Sequence, residues 1–94
     1  MADKNLKHYV IKLEVWIQGR GTWPRTILKR AANQEEAEQK ARKAARRAIP
    51  GTPDPDQDPS VGIVYWNKGT SSAMVLSVEK ATASEYAALE KFLY

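Results

Sequence analysis

Residues 33–49 read NQEEAEQKARKAARRAI and form the clearest helical stretch of the sequence. Asn33 and Glu36 have the spacing of a capping box, which predicts that a helix begins here. At about a hundred degrees per residue, Ile49 and the alanines fall on a single stripe. An alanine stripe lets a helix lie close to a sheet but buries little area, so we expect the sheet to supply the large core side chains.

This helix is acidic in its first turns and basic in its second half, the order that the helix dipole favours. Glu36–Lys40 and Glu38–Arg42 have the i,i+4 spacing of ion pairs. One interpretation is therefore a solvated, self-stabilised surface. The other is a basic patch that contacts nucleic acid or an acidic protein.

Two strands are predicted before this helix. Residues 8–18 alternate, with Tyr9 and Ile11 among the residues on one face and Trp16 on the other, as in a half-buried strand. A turn at 19–21 leads to a second strand at 26–32. The inward face of this second strand stays open between two alternatives. Either Ile27 and Ala31 point inward, or Leu28 does.

The Trp23-Pro24 step argues against a central strand position there, because proline has no amide donor. After the helix, residues 50–60 hold four prolines and three aspartates, which predicts an exposed acidic loop.

Two further strands and a second helix are predicted after this loop. The strands span 61–66 and 73–79, and Met74, Leu76 and Val78 are expected to face the core. Thr82 and Glu85 repeat the capping-box spacing. The helix that follows places four apolar residues on one face: Tyr86, Leu89, Phe92 and Leu93.

The order of elements is strand, strand, helix, strand, strand, helix. It predicts one α+β domain over residues 1–94, with a four-stranded antiparallel sheet and both helices on one face. We expect residues 1–7 to be frayed. The other face of the sheet would then be open.

The net charge of +4 is unevenly distributed. Residues 1–49 carry +7, residues 50–60 carry −3 and residues 61–94 are neutral. There is no cysteine, no apolar run of membrane-spanning length and no apolar stretch at the start of the chain. We expect a cytoplasmic protein that does not contact membranes.

Nothing in the sequence indicates catalysis. His8 is the only histidine, and no motif supplies it with a partner acid or nucleophile. Phosphate-binding glycine loops and metal-binding motifs are also missing. We therefore expect a non-enzymatic binding protein with no cofactor and no metal.

Trp16, Lys12 and His8 are expected on the open sheet face, where Trp66 or Tyr65 would join them. Aromatic and basic side chains on an open sheet form a stacking platform for single-stranded nucleic acid. The alternative is that Val10, Trp16 and Val64 form a homodimer patch or a lid over a second small core.

A hairpin, Gly19-Arg20-Gly21 and then EAEQKARKAARRAI resemble the end of a double-stranded-RNA-binding domain. The resemblance covers roughly residues 9–49. It departs at the helix start, where Gln34-Glu35-Glu36 stand in place of the phosphate-clamping lysines of that family, so no binding residue is carried over. On size and pattern alone, the chain also resembles small phage-encoded inhibitors such as anti-CRISPR proteins.

The prediction from sequence is a small protein that contacts nucleic acid through a basic helix and hairpin. The alternative is a protein-binding inhibitor or adaptor of a nucleic-acid-processing complex, which would use residues 54–58 or the aromatic sheet face. The predicted contact residues are Arg42, Lys43, Arg46 and Arg47 on the helix, Arg20, Arg25 and Arg30 on the hairpin, and Trp16 and Trp66 for stacking.

Overall fold

The computed structural model describes residues 6–58 and 61–93, and it confirms the α+β class and the predicted order of elements. Four antiparallel strands form one sheet in the order β2-β1-β4-β3. Residues 1–5 of the segment predicted to be frayed lie outside the described part of the chain, whereas Lys7 already pairs with Ala31. The elements are β1 (Lys7–Ile17), β2 (Gly21–Ala31), α1 (Gln34–Arg46), β3 (Ile63–Trp66), β4 (Ser71–Ala81) and α2 (Ala83–Leu93).

Helix α1 covers one face of the sheet through its alanine stripe. Ala37, Ala41 and Ala45 are fully buried against the sheet. The predicted alternation of β1 is confirmed, because Tyr9, Ile11, Leu13 and Val15 all point toward this helix and are buried. Large side chains on the sheet thus fill the space that the alanines leave.

Helix α2 lies on the opposite face, which differs from the predicted arrangement of both helices on one face. Its Tyr86 is buried with Val10 and Leu28, and Leu89 packs against them. Val10 points away from Tyr9 and Ile11 because successive strand residues face opposite sides. Since α1 already covers the odd-numbered residues of β1, the apolar pair Val10–Leu28 gives α2 its place on the even-numbered side.

This arrangement resolves the ambiguity in β2. Ile27 and Ala31 face α1, whereas Leu28 is buried under α2, so both alternatives are correct at the end of the strand that has helices on both sides. β2 is an edge strand, and Pro24 is therefore accommodated within it.

A β-bulge changes which residues of β4 face the core. Lys12 lies opposite Ser77 and Leu13 opposite Val75, so Leu76 is an extra residue without a partner on β1. Val75 and Val78 pack against the α1-side core, and Leu76 is 49% exposed. The predicted alternation of Met74, Leu76 and Val78 is therefore wrong.

The loop after α1 covers the outer edge of β3. The Gln57 side chain donates to the Tyr65 carbonyl at 2.9 Å and accepts from the Tyr65 amide at 2.7 Å. Asp54 accepts from the Lys68 and Gly69 amides of the β3–β4 turn, both at 2.9 Å. Asp54 is thus a structural cap of this turn, whereas Asp56 and Asp58 are exposed, as predicted for the acidic loop. No helix in the described part of the chain is long and apolar enough to cross a membrane.

Candidate nucleic-acid interface

One side of the molecule carries a continuous basic surface. It forms because α1 turns its alanines toward the sheet and projects its long side chains outward, while alternate residues of β2 point to the same side. We call it the basic surface. Its members are Arg25 and Lys29 on β2, and Lys40, Arg42, Lys43, Arg46 and Arg47 on or directly after α1.

A groove of 350 Å³ runs between α1 and β2. It is lined by Lys29, Lys40, Lys43, Ala44 and Arg47, so four of its five lining residues are cationic. These cations come from two elements, Lys29 from β2 and the other three from α1 or directly after it.

Lys40 is fixed within this groove. Its Nζ donates to the Arg30 carbonyl at 2.6 Å and forms the predicted ion pair with Glu36 at 3.5 Å. Lys29, Lys43 and Arg47 have no ion-pair partner among residues 6–58 and 61–93. Lys40 therefore stabilises the packing of α1 on β2, and the other three charges remain available to a ligand.

A second groove, of 460 Å³, lies on the other side of α1. It is lined by Gln39, Arg42, Lys43, Arg46 and Gln57. Lys43 lines both grooves and therefore stands on the ridge between them. The basic surface can accordingly contact a ligand on either flank of the helix.

No acidic residue lines either groove. The acids of α1 lie toward its first turn, where Asn33 accepts from the Glu36 amide at 2.8 Å and so begins the helix. The predicted Glu38–Arg42 ion pair is not formed, because Glu38 accepts from the Gln34 side chain at 3.1 Å. The positive charge in the second half of the helix is thus left largely uncompensated.

The three arginines that are predicted as contact residues on the hairpin lie at different places in the molecule. Arg25 joins the basic surface, where its guanidinium donates to the Ala48 carbonyl at 3.2 Å just beyond α1. Arg30 lies on the opposite face, with its guanidinium 5.7 Å from the centre of the Tyr86 ring. Arg20 lies in the β1–β2 turn. A ligand held against α1 is therefore next to Arg25 but on the other side of the sheet from Arg30.

The structure removes Trp66 from the predicted stacking residues, because it is only 1% exposed. Trp66 pairs with Ser71 and faces α1, where it packs in the main core. Trp16 is half-buried on the opposite face, and Tyr65 lies on that face two strands away, with Ser72 between them. The predicted platform thus contains Tyr65 in place of Trp66, and the sheet separates it from the basic surface.

Sequence reasoning missed three residues of this side: Trp23, Lys29 and Lys40. The period-two alternation of β2 was the signal for the first two, because Trp23, Arg25 and Lys29 share one face with Ile27. The signal was hidden by Pro24, which suggested that the strand starts later. For Lys40, the sequence predicts only the ion pair with Glu36.

The described residues contain no group of three histidine, cysteine or acidic side chains placed to hold a metal. His8 packs against Tyr86 with ring centres 4.5 Å apart and ring planes tilted by 45°, and this contact belongs to the packing of α2. Comparison of the chain with known protein families, with curated proteins and with solved structures finds no match. The fold and the surface together define an α+β domain with one strongly basic side.

Proposed function

We propose that this protein binds nucleic acid through the basic surface. The observation that carries the proposal is the convergence of Lys29, Lys43 and Arg47 on one groove without ion-pair partners among the described residues. Phosphate groups are the ligands that such a cluster suits best, because neutralising them releases condensed counterions.

The competing explanation is a solvated helix whose charges stabilise only itself. Cations near the end of a helix do interact favourably with its dipole, so Lys43 and Arg46 have a structural benefit in the last turn. That benefit does not extend to Lys29, which lies on a strand. The convergence of charge from two different elements therefore favours a ligand.

Fluorescence anisotropy against labelled single- and double-stranded DNA and RNA, at about 50 and 200 mM salt, tests the proposal. We expect binding that weakens between the two salt concentrations by at least tenfold, since each phosphate contact adds a salt-dependent term. An affinity that does not change with salt, or no binding at the lower concentration, would contradict it.

A second candidate function is a protein contact through the uncovered half of the other face. This patch consists of Trp16, Ile63, Met74 and Tyr65, of which Tyr65 is 40% exposed. Lys12 and Glu14 lie beside it on β1 and point to the same side. A second copy related by a two-fold axis can place Lys12 opposite Glu14, so the patch is self-complementary.

The same patch is where a partner of the inhibitor or adaptor function would bind. Sedimentation equilibrium tests the homodimer form of this candidate. We expect a dimer for the wild-type protein and a monomer for Trp16→Glu, which introduces an unpaired charge into the contact. A wild-type protein that is monomeric at all concentrations would contradict the homodimer.

A further inference from the structure

Trp23 is an exposed tryptophan on the basic side of the molecule. It lies in β2 opposite Val15 and points to the α1 side of the sheet. Its side chain is 40% exposed, although Val15 beside it is 2% exposed. Large exposed aromatic side chains are typical of interaction sites, because a ligand buries their apolar area.

The packing of the core does not account for Trp23. Trp66, Ile11, Leu13 and Val15 provide the largest fully buried side chains, and Trp23 belongs to none of the hydrophobic clusters of the described residues. Thr22 and Arg25 show that smaller or polar residues are compatible with this edge strand. Neither the core nor the strand therefore requires an indole ring at position 23.

Trp23 continues the line of cations along β2. Arg25 follows two residues later on the same side and is held by the Ala48 carbonyl at 3.2 Å. Lys29 follows at the groove, about 20 Å from Trp23 at the usual rise of a strand. A single strand that lies along β2 can therefore contact all three residues.

We infer that Trp23 stacks on an unpaired base of a single-stranded nucleic acid whose phosphates follow Arg25, Lys29 and Arg47. This inference rests on the proposed function. A base in a duplex is already covered on both faces by its neighbours, whereas an unpaired base offers a free face to an aromatic ring. The charge of the basic surface does not itself distinguish single strands from duplexes, so Trp23 gives the site this preference.

The experiment measures the affinity of wild type, Trp23→Ala and Trp23→Thr for a labelled single strand and for the matching duplex, each as DNA and as RNA. Threonine is included because it is a good strand former without a ring. Leu76→Ala, at an exposed apolar residue of β4 outside the basic surface, is the control. Circular dichroism spectra and thermal melts verify that each variant is folded.

We expect both Trp23 variants to lose about five- to one hundred-fold in affinity for the single strand, the range for removal of one stacking side chain. Affinity for the duplex should change less than twofold, and Leu76→Ala should behave as wild type. The DNA and RNA arms show which backbone the site accepts.

Equal losses on single strand and duplex, or no loss in either folded Trp23 variant, would overturn the inference. The proposed function would survive the second result if Lys43→Glu/Arg47→Glu still abolished binding. A wild-type protein that binds none of the four oligonucleotides would overturn both.

Discussion

Trp66 lies in the strand that the sequence predicts but faces the opposite side of the sheet from the predicted one. Its strand was expected, but the register that pairs Trp66 with Ser71 turns it toward α1. The alanine stripe of α1 leaves space for it, and the side chain fills that space at 1% exposure. Its Nε1 has no hydrogen-bond partner among the described residues.

We predict that Trp66→Ala lowers the free energy of unfolding by about 3–5 kcal/mol, as expected when a buried aromatic ring is removed. Trp66→Phe should cost much less, because it keeps most of the ring volume and removes a buried donor that makes no hydrogen bond. Urea unfolding of both variants measures the difference. Equal losses in the two variants would contradict the prediction that ring volume at this position determines stability.

The predicted capping box at the start of α2 is confirmed in atomic detail. The Thr82 amide donates to the Glu85 carboxylate, and the Glu85 amide donates to the Thr82 hydroxyl, both at 3.1 Å. Hydrogen bonds to the Glu85 carboxylate, first from the Thr82 backbone amide and second from the Thr82 side chain, lower the pKa of Glu85 below its ordinary value of 4.5. A capping box needs only local spacing, which is why sequence alone predicts it.

Because the pKa of Glu85 is lower in the folded state, its ionised form stabilises the protein at neutral pH. That contribution is lost as the pH falls below 4.5 and through the lower pKa of the folded state. We predict that Glu85→Gln lowers the melting temperature at pH 7 and that this deficit shrinks at pH 3. Glu90→Gln, also exposed on α2, is the control and should show neither effect. A deficit that is the same at both pH values would contradict this role.

Other elements were predicted only in part, because their placement depends on contacts between distant segments. The bulge at Leu76 reverses the facing of half of β4, and no local signal marks the extra residue. The face chosen by α2 depends on Val10 and Leu28, which are brought together by the β1–β2 register. The alternation in β2 left its inward face undecided, because residues on both faces are buried at the end that contains Leu28 and Ala31.

At the scale of the whole molecule, the sheet separates two different surfaces. One side carries α1, the basic surface and Trp23, and the other carries α2 and the patch of Trp16 and Tyr65. The lopsided charge of the first 49 residues was evident from sequence. The sequence did not reveal which of those charges lie on the same side of the sheet, because this depends on the positions of β2 and α1 relative to each other.

The charge-reversal variant Lys43→Glu/Arg47→Glu tests whether the basic surface binds nucleic acid. Lys68→Glu/Lys91→Glu is the matched control, since it makes the same change in net charge at two exposed lysines outside the basic surface, in the β3–β4 turn and on α2. The measurement is fluorescence anisotropy of both variants and wild type with one labelled single strand at about 50 mM salt. We predict that the first variant loses binding by at least one hundred-fold, while the control loses less than tenfold because only long-range attraction is reduced. Equal losses in the two variants, or unchanged binding by the first, would contradict a nucleic-acid site on the basic surface.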